Sequence, residues 1–174
     1  TYFGNISAWR IEAERLGRKK LAVWSFHNQC LRGYLMSVTL LIIVTWLFGL
    51  VGLGYFIVAG LWAKCMLEIV NYVEHYGIVR CPNRRVEPRH SWNTNRLITS
   101  WSLFNLSRHS HHHAHGQLPF YKLKPYTDAP GMVSGYLACV FLSLFPPLWF
   151  RLMAPKLAEW DAHFASDEER QLLE

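Results

Sequence analysis

The sequence predicts an all-α integral membrane protein: a transmembrane helical hairpin plus cytoplasmic helices that carry histidines. Three observations predict this fold class. No charged residue occurs between Gly33 and Ala63, a run longer than the roughly 20 residues that cross a bilayer. Of the 174 residues, 51% are hydrophobic and only 17% are charged, whereas charged residues make up about a quarter of soluble domains. Five of the nine histidines fall between His109 and His115.

The first segment, residues 1–33, is predicted to be a basic amphipathic helix. Ile6, Trp9, Ala13 and Leu16 recur at helical spacing on one face, with the charges opposite. Such a helix lies in the membrane interface or packs against the rest of a larger protein, and the pattern is compatible with both.

Residues 34–78 are predicted to form the transmembrane hairpin, with helices over about 34–50 and 55–78 and a turn at the glycines between Gly49 and Gly54. One long tilted helix is the alternative. Both flanks of this segment are basic, so the positive-inside rule places both in the cytoplasm. Segment 79–130 would then be the cytoplasmic, ligand-bearing region.

The remaining residues divide into an apolar segment, 131–150, and a polar tail, 151–174. Pro146-Pro147 interrupts any helix in the apolar segment, so a re-entrant or interfacial segment is favoured over a full membrane crossing. In the tail we expect a solvated helix that begins after a Ser166 cap.

The histidine run has the spacing of a metal site. If Leu103–Ala114 is helical, His109, His112 and His113 share one face, because side chains three and four residues apart are neighbours on a helix. His111 is offset and points elsewhere. Neutral imidazole binds iron, zinc, copper and nickel, so this face predicts a metal site.

His75 is a further candidate ligand near the end of the second predicted helix. Glu68 and Asn71 precede it on the same face, which suits a ligand held by hydrogen bonds, although a histidine bonded within a core is the alternative. Glu74, like Glu68, is an acid at membrane depth, where polar residues are costly and tend to be functional.

Two loop residues are candidates for supporting the metal ligands. His90 either supports the site or has a structural role, and Asp128 either orients a ligand imidazole or stabilises a turn. The net charge of +6 comes with no nucleic-acid-binding motif, so no nucleic-acid partner is expected. The four cysteines form no C-x-x-C pair, which excludes the usual cysteine metal sites.

Together these stretches resemble the integral-membrane di-iron monooxygenases, the alkane 1-monooxygenase and xylene monooxygenase group, which are related to membrane fatty acid desaturases. The resemblance extends along nearly the whole chain. The matching stretches are Asn71-Tyr72-Val73-Glu74-His75-Tyr76-Gly77, His90-Ser91-Trp92-Asn93, Leu106-Ser107-Arg108-His109-Ser110-His111-His112-His113, Asp128-Ala129-Pro130, Ser134-Gly135-Tyr136 and Pro146-Pro147-Leu148-Trp149.

The resemblance implies that His75, His109, His112 and His113 bind iron in a non-haem di-iron centre with two Fe ions. It implies O2-dependent hydroxylation of a methyl C–H of an alkane or alkyl-aromatic hydrocarbon. Electrons would come from a separate rubredoxin or ferredoxin-type reductase. The chain would lie in a bacterial inner membrane, with its ligands on the cytoplasmic side.

One departure from the group concerns its two earlier histidine boxes, of the types H-E-x-x-H and E-H-x-x-G-H-H. Neither occurs here, His27 is the only histidine before His75, and the sequence starts at Thr1 without a methionine. We therefore expect the C-terminal portion of a longer enzyme, a fragment of a larger helical bundle whose N-terminal half supplies the other ligands. We expect the segment alone to be inactive.

Two rival functions remain open at this point. One is an acyl-chain desaturase or hydroxylase, against which the stretch Glu74-His75-Tyr76-Gly77 favours the hydrocarbon group. The other is a divalent-metal transporter with a histidine-rich loop. A transporter predicts a loose histidine run and metal-binding carboxylates within the spans.

Overall fold

The computed structural model of the chain describes residues 2–82 and 84–172. Thr1, Asn83 and residues 173–174, which belong to the predicted segments 1–33, 79–130 and 151–174, lie outside the described residues. In the described ranges the helices are α1 (Tyr2–Arg18), α2 (Gln29–His75), α3 (Leu97–Ser102), α4 (His109–Ala114), α5 (Tyr136–Ser143), α6 (Pro146–His163) and α7 (Asp167–Arg170), with short 3-10 helices at Pro88–His90 and Phe120–Lys122.

The predicted all-α class is confirmed for this part of the chain. Extended pairing in the described ranges is limited to one isolated parallel bridge, between Asn93 and Gly131. The chain divides into two compact units, residues 1–63 and 64–174.

In the first unit, α1 buries the face that carries Trp9, Glu12 and Leu16. The sequence pattern placed the charges opposite this face, and Glu12 is the exception. Its carboxylate accepts hydrogen bonds from Arg15 and from the backbone N–H of Gln29, each at 2.6 Å. Gln29 begins α2, whose first N–H groups lack partners within the helix, so a buried carboxylate is stabilised there.

Helix α2 is interrupted at Gly49, whose φ of 66° and ψ of −168° are not helical. A positive φ is costly for any residue with a Cβ, so this break falls at a glycine. The break lies at the first glycine of the predicted turn, and α2 ends at His75 rather than at 78. Within the described residues, α2 is the one helix long and apolar enough to cross a membrane.

In the second unit, three tryptophans are the largest side chains of the core. Trp92, Trp149 and Trp160 are almost fully buried with Val73 and Met153. The indole N–H of Trp92 donates to the carbonyl of Tyr76 at 2.8 Å, and that of Trp160 donates to the carbonyl of Arg89 at 2.7 Å. These bonds attach the loop after α2 to the end of α2 and to α6.

Gly77 ends α2 and lies against α6. Its φ is +70°, and a Cβ there would lie 2.4 Å from Cδ2 of Leu157. A glycine in the left-handed conformation just past a helix is the usual way to stop the helix. Here it also permits close contact with α6.

The prolines at 146–147 begin a helix as well as ending one. They occupy the first positions of α6, where a missing N–H costs nothing, and α5 ends at Ser143. The predicted Ser166 cap is present, since Ser166 accepts a hydrogen bond from Glu169 N–H. The helix after Ser166 is exposed at Asp167 and Glu168, as a solvated helix would be, but Glu169 within it and Trp160 before it are buried.

The predicted helix over Leu103–Ala114 was also wrong in its extent. Helix α3 stops at Ser102, and α4 starts only at His109. Between them Phe104 and Asn105 have φ of 48° and 61°, a left-handed pair that helical propensity does not reveal. The break makes α4 a separate short helix.

Candidate metal centre

The last turn of α2 presents His75 with one ring nitrogen already engaged. Nδ1 of His75 donates to the carbonyl of Asn71, four residues earlier, at 2.9 Å. A carbonyl only accepts, so the proton sits on Nδ1 and Nε2 keeps its lone pair. The hydrogen bond therefore aims a ligand nitrogen away from the helix.

Helix α4 packs with Ser110 facing the loop that follows the first 3-10 helix. The Ser110 hydroxyl lies 3.2 Å from that of Ser91, and both residues are fully buried. With that side fixed, His109 and His113, four residues apart, share the face that meets His75, and their ring centroids are 4.4 Å apart.

Three imidazole nitrogens converge at this place. Nε2 of His113 lies 3.3 Å from Nε2 of His75 and 2.9 Å from Nε2 of His109. All three ligand atoms lie within 4.8 Å of one another. With metal–nitrogen bonds of about 2.1 Å, two ligands are about 3.0 Å apart at a right angle and about 3.4 Å apart at a tetrahedral angle. The spacing of the three rings therefore fits one metal ion.

The surroundings keep the rings of His109 and His113 neutral. Burial, together with the neighbouring His113, His75 and His112, lowers the pKa of His109 to about 3. Burial, together with the neighbouring His75 and His112, lowers the pKa of His113 to about 4. Only neutral imidazole binds a metal, so both rings are in the binding form at neutral pH.

A buried carboxylate lies next to this group. Oε1 of Glu74 is 3.3 Å from Nδ1 of His109, and it accepts a hydrogen bond from the hydroxyl of Tyr136. Nδ1 of His109 and Nδ1 of His113 are buried without a hydrogen bond of good geometry. Histidines that bind metals commonly use this second nitrogen to donate to a carboxylate or carbonyl.

His112 is not part of the three-nitrogen group. Its side chain is exposed, and its ring centroid lies 5.7 Å from that of His109 and 6.4 Å from that of His113. His109 and His112 both line a cavity of about 670 Å³. The rest of its wall is apolar: Leu103, Phe104, Leu106, Leu118, Phe120 and Leu123.

Three predicted supporting residues have other polar partners than the three ligand nitrogens. Glu68 is exposed and pairs with Lys64 at 3.1 Å. Asp128 is exposed and accepts a hydrogen bond from Thr127. His90 is buried, but its Nε2 pairs with Glu169 at 2.8 Å. Asn71 contributes through its backbone carbonyl, so its amide side chain has no part in the contact with His75.

The sequence did not single out Tyr136 as a site residue. It lies in an apolar stretch, 62 residues from Glu74, where a lone tyrosine is unremarkable. Its full burial was the missing signal, since a buried phenol needs a hydrogen-bond partner. His111, by contrast, faces His115 and Tyr126 on another side of α4.

The chain is similar to a family of desaturases and to several monooxygenases. The family model described as fatty acid desaturase matches residues 2–143. Alkane 1-monooxygenase 1 of Pseudomonas aeruginosa is 42% identical over 168 residues, covering 94% of this chain and 43% of that protein. Alkane 1-monooxygenase of Acinetobacter baylyi is 36% identical over 173 residues, covering 96% and 42%.

A relative that acts on aromatic compounds is similar to the same degree. The xylene/toluene monooxygenase hydroxylase component of Pseudomonas putida is 37% identical over 170 residues, covering 95% of this chain and 45% of that protein. The chain thus spans less than half the length of these relatives.

Proposed function

The chain belongs to the fatty acid desaturase family, and from that premise we propose that it takes part in the O2-dependent hydroxylation of a methyl C–H of a hydrophobic hydrocarbon at a membrane di-iron centre. The observation that carries the proposal is the convergence of Nε2 of His75, His109 and His113 at distances that fit one metal ion. The names of the relatives support an alkane or alkyl-aromatic substrate.

We assign the ligands to two ions. His75, His109 and His113 would hold one iron, and His112, which is turned away from them, would bind the second. Four imidazoles are too few for two ions of this type, so the remaining ligands would come from polypeptide outside these 174 residues. Bound iron would supply the O2 chemistry that inserts one oxygen atom into the C–H bond.

The residues of this chain have supporting tasks in that reaction. The carbonyl of Asn71 holds the ring of His75 in its binding tautomer. The apolar cavity beside His109 and His112 offers a water-poor space for a hydrocarbon next to the metal ligands. Between residues 76 and 130 there are eight Lys/Arg and two acids, which suits an acidic electron carrier such as a rubredoxin or a ferredoxin-type reductase.

We propose that α2 is a transmembrane hairpin that turns at Gly49. Val38 and Leu41, before Gly49, and Leu53 and Ile57, after it, line one groove. On a straight helix Val38 and Ile57 would be about 28 Å apart, at about 1.5 Å per residue, which is too far for both to line one groove. The two sides of the break therefore face each other. The exposed apolar side chains of α2 suit lipid contact, and the basic flanks suit the cytoplasmic side of a bacterial inner membrane.

This topology is tested with the cysteines at either end of α2. Variants that keep only Cys30 or only Cys81 are treated, in sealed vesicles, with a thiol reagent that does not cross membranes. If α2 is a hairpin, both cysteines should be labelled from the same side of the membrane, which is the cytoplasmic side. Labelling from opposite sides would mean a single crossing.

The metal assignment is tested by loading the 174-residue chain with Fe(II) without oxygen, in detergent micelles. We expect bound high-spin ferrous iron with nitrogen ligands in Mössbauer and X-ray absorption spectra. Tight zinc binding with no iron would instead favour the metal transporter. With O2 and a reductant added, we expect no hydroxylation by this chain alone, and turnover would contradict the need for further ligands.

An acyl-chain desaturase or hydroxylase remains a second candidate, because the matching family model is that of fatty acid desaturases. Product analysis separates the two candidate functions. It requires the chain combined with the polypeptide that we infer supplies the remaining metal ligands. An alcohol from a hydrocarbon supports the first proposal, and an unsaturated or hydroxylated acyl chain supports the second.

A further inference from the structure

Three buried polar side chains from three helices form a connected row next to the metal ligands. Tyr136 of α5 is completely buried, Glu74 of α2 is 4% exposed, and His109 of α4 is 8% exposed. Polar groups buried so deeply are costly unless they are hydrogen-bonded, so their contacts with one another matter for the site.

The direction of the hydrogen bonds follows from the chemistry of the groups. The phenol of Tyr136 donates to Oε1 of Glu74. That same oxygen lies 3.3 Å from Nδ1 of His109, the nitrogen not used toward His113. Because this oxygen already accepts from the phenol of Tyr136, the group that suits it on His109 is an Nδ1–H.

We propose that Tyr136 and Glu74 are positioning residues for the metal centre: together they hold His109 in the tautomer with the proton on Nδ1, so that Nε2 is free to bind the ion. This inference rests on the proposed function, which requires a metal ion at this place. It deepens that proposal by assigning a role to the phenol of Tyr136, which lies 62 residues from Glu74 in the chain.

His109 and His75 thereby obtain the same tautomer by different means. His75 donates its Nδ1–H to a neutral carbonyl at 2.9 Å, whereas His109 faces a carboxylate. A carboxylate partner makes the imidazole a more basic and stronger ligand. The bond from Tyr136 fixes the carboxylate in place. Nδ1 of His109 lies near Oε1 without a hydrogen bond of good geometry, and a rotation of the ring would complete that bond.

The first experiment measures Co2+ affinity of the 174-residue chain in detergent micelles, with Co2+ alone as the probe. Loss of such a supporting partner lowers metal affinity about 10–100-fold, so we expect that loss in Glu74→Gln. For Tyr136→Phe we expect about a 5-fold loss, the effect of one hydrogen bond. The visible absorption bands of bound Co2+ should shift in both variants.

Two matched controls remove the same groups elsewhere. Glu68→Gln alters an exposed carboxylate of α2 that pairs with Lys64, and Tyr121→Phe alters an exposed phenol. Both controls should bind Co2+ as the unaltered chain does.

The second experiment reads the tautomer directly, from the 15N chemical shifts of the His109 ring in the chain without added metal. We expect Nδ1–H in the unaltered chain, and a mixture with Nε2–H in Tyr136→Phe and Glu74→Gln. A purely structural role for Tyr136 would leave the tautomer unchanged. If a variant fails to fold, the tautomer in the unaltered chain decides.

Two results would overturn the inference: folded variants that bind Co2+ within twofold of the unaltered chain, or a proton found on Nε2 of His109, as when a protonated Glu74 donates to Nδ1. Failure of the proposed function gives a different result, in which the unaltered chain and His113→Ala bind Co2+ equally poorly while the tautomer of His109 is still Nδ1–H.

Discussion

Nε2 of His90 donates to Oε1 of Glu169 at 2.8 Å, joining two residues 79 positions apart in the chain. Nδ1 of His90 accepts the backbone N–H of Glu87, so the ring is held at both nitrogens. The other oxygen of Glu169 accepts the N–H of Ser166. This buried pair attaches α7 to the 3-10 helix at Pro88–His90, which precedes the loop on which α4 packs.

We predict that Glu169→Ala destabilises the chain by on the order of 3 kcal/mol, because it leaves the buried Nε2–H of His90 without a partner and removes the capping bond to Ser166. The free energy of unfolding in denaturant is the measurement. Glu168→Ala is the matched control, since Glu168 forms an exposed pair with Arg84 and such pairs contribute little. Equal effects of the two substitutions would contradict the buried role of Glu169.

We predict that the chain without metal loses stability as the pH falls below about 6.5. Burial lowers the pKa of His109 to about 3 and that of His113 to about 4, whereas an unfolded imidazole has a pKa of about 6.5. Below that pH the unfolded state binds protons that the folded state refuses. The contribution is therefore complete above pH 6.5 and declines down to the folded values.

Unfolding measured from pH 7.5 to 4 in the presence of a chelator tests this dependence. His113→Asn removes one of the two groups, so its stability should change less steeply with pH. A stability that is flat between pH 6.5 and 4 in the unaltered chain would show that these rings titrate normally.

We predict that Gly77→Ala destabilises the junction of α2 and α6. An alanine would have to adopt a φ of +70°, which costs roughly 1–2 kcal/mol, and its Cβ would meet Leu157. Thermal unfolding is the measurement. Gly131→Ala is the control, because no atom lies within 4 Å of a Cβ built at that position. A harmless Gly77→Ala would mean that α2 can end without the left-handed turn.

We predict that the histidines of α4 differ in their contribution to metal binding. His113→Ala should abolish tight Co2+ binding, because Nε2 of His113 is next to both other ligand nitrogens. His112→Ala should leave that first ion in place, since His112 lies outside the three-nitrogen group. His111→Ala, on another side of α4, is the control. Loss of the first ion in His112→Ala would contradict the assignment of His112 to a second ion.

The positions of the elements could be predicted only where the signal is local. The apolar run after Gly33 and the cap at Ser166 are patterns within a few turns of chain, and helices occur at both. The break at Phe104 and Asn105 is conformational and has no periodic signature. The burial of Trp160 and Glu169 was missed because a polar composition says nothing about which residues pack against the core.

The helical period by itself placed His109, His112 and His113 on one face of a helix, because it fixes the relative directions of side chains three and four residues apart, and the structure brings together His109 and His113 of these. Tertiary structure alone decided that His75 meets them, that His112 does not, and that Glu74 stands between Tyr136 and His109. The physical reason is distance along the chain. Which helices touch, and at what depth, depends on the packing of side chains far apart in sequence, which no local pattern encodes.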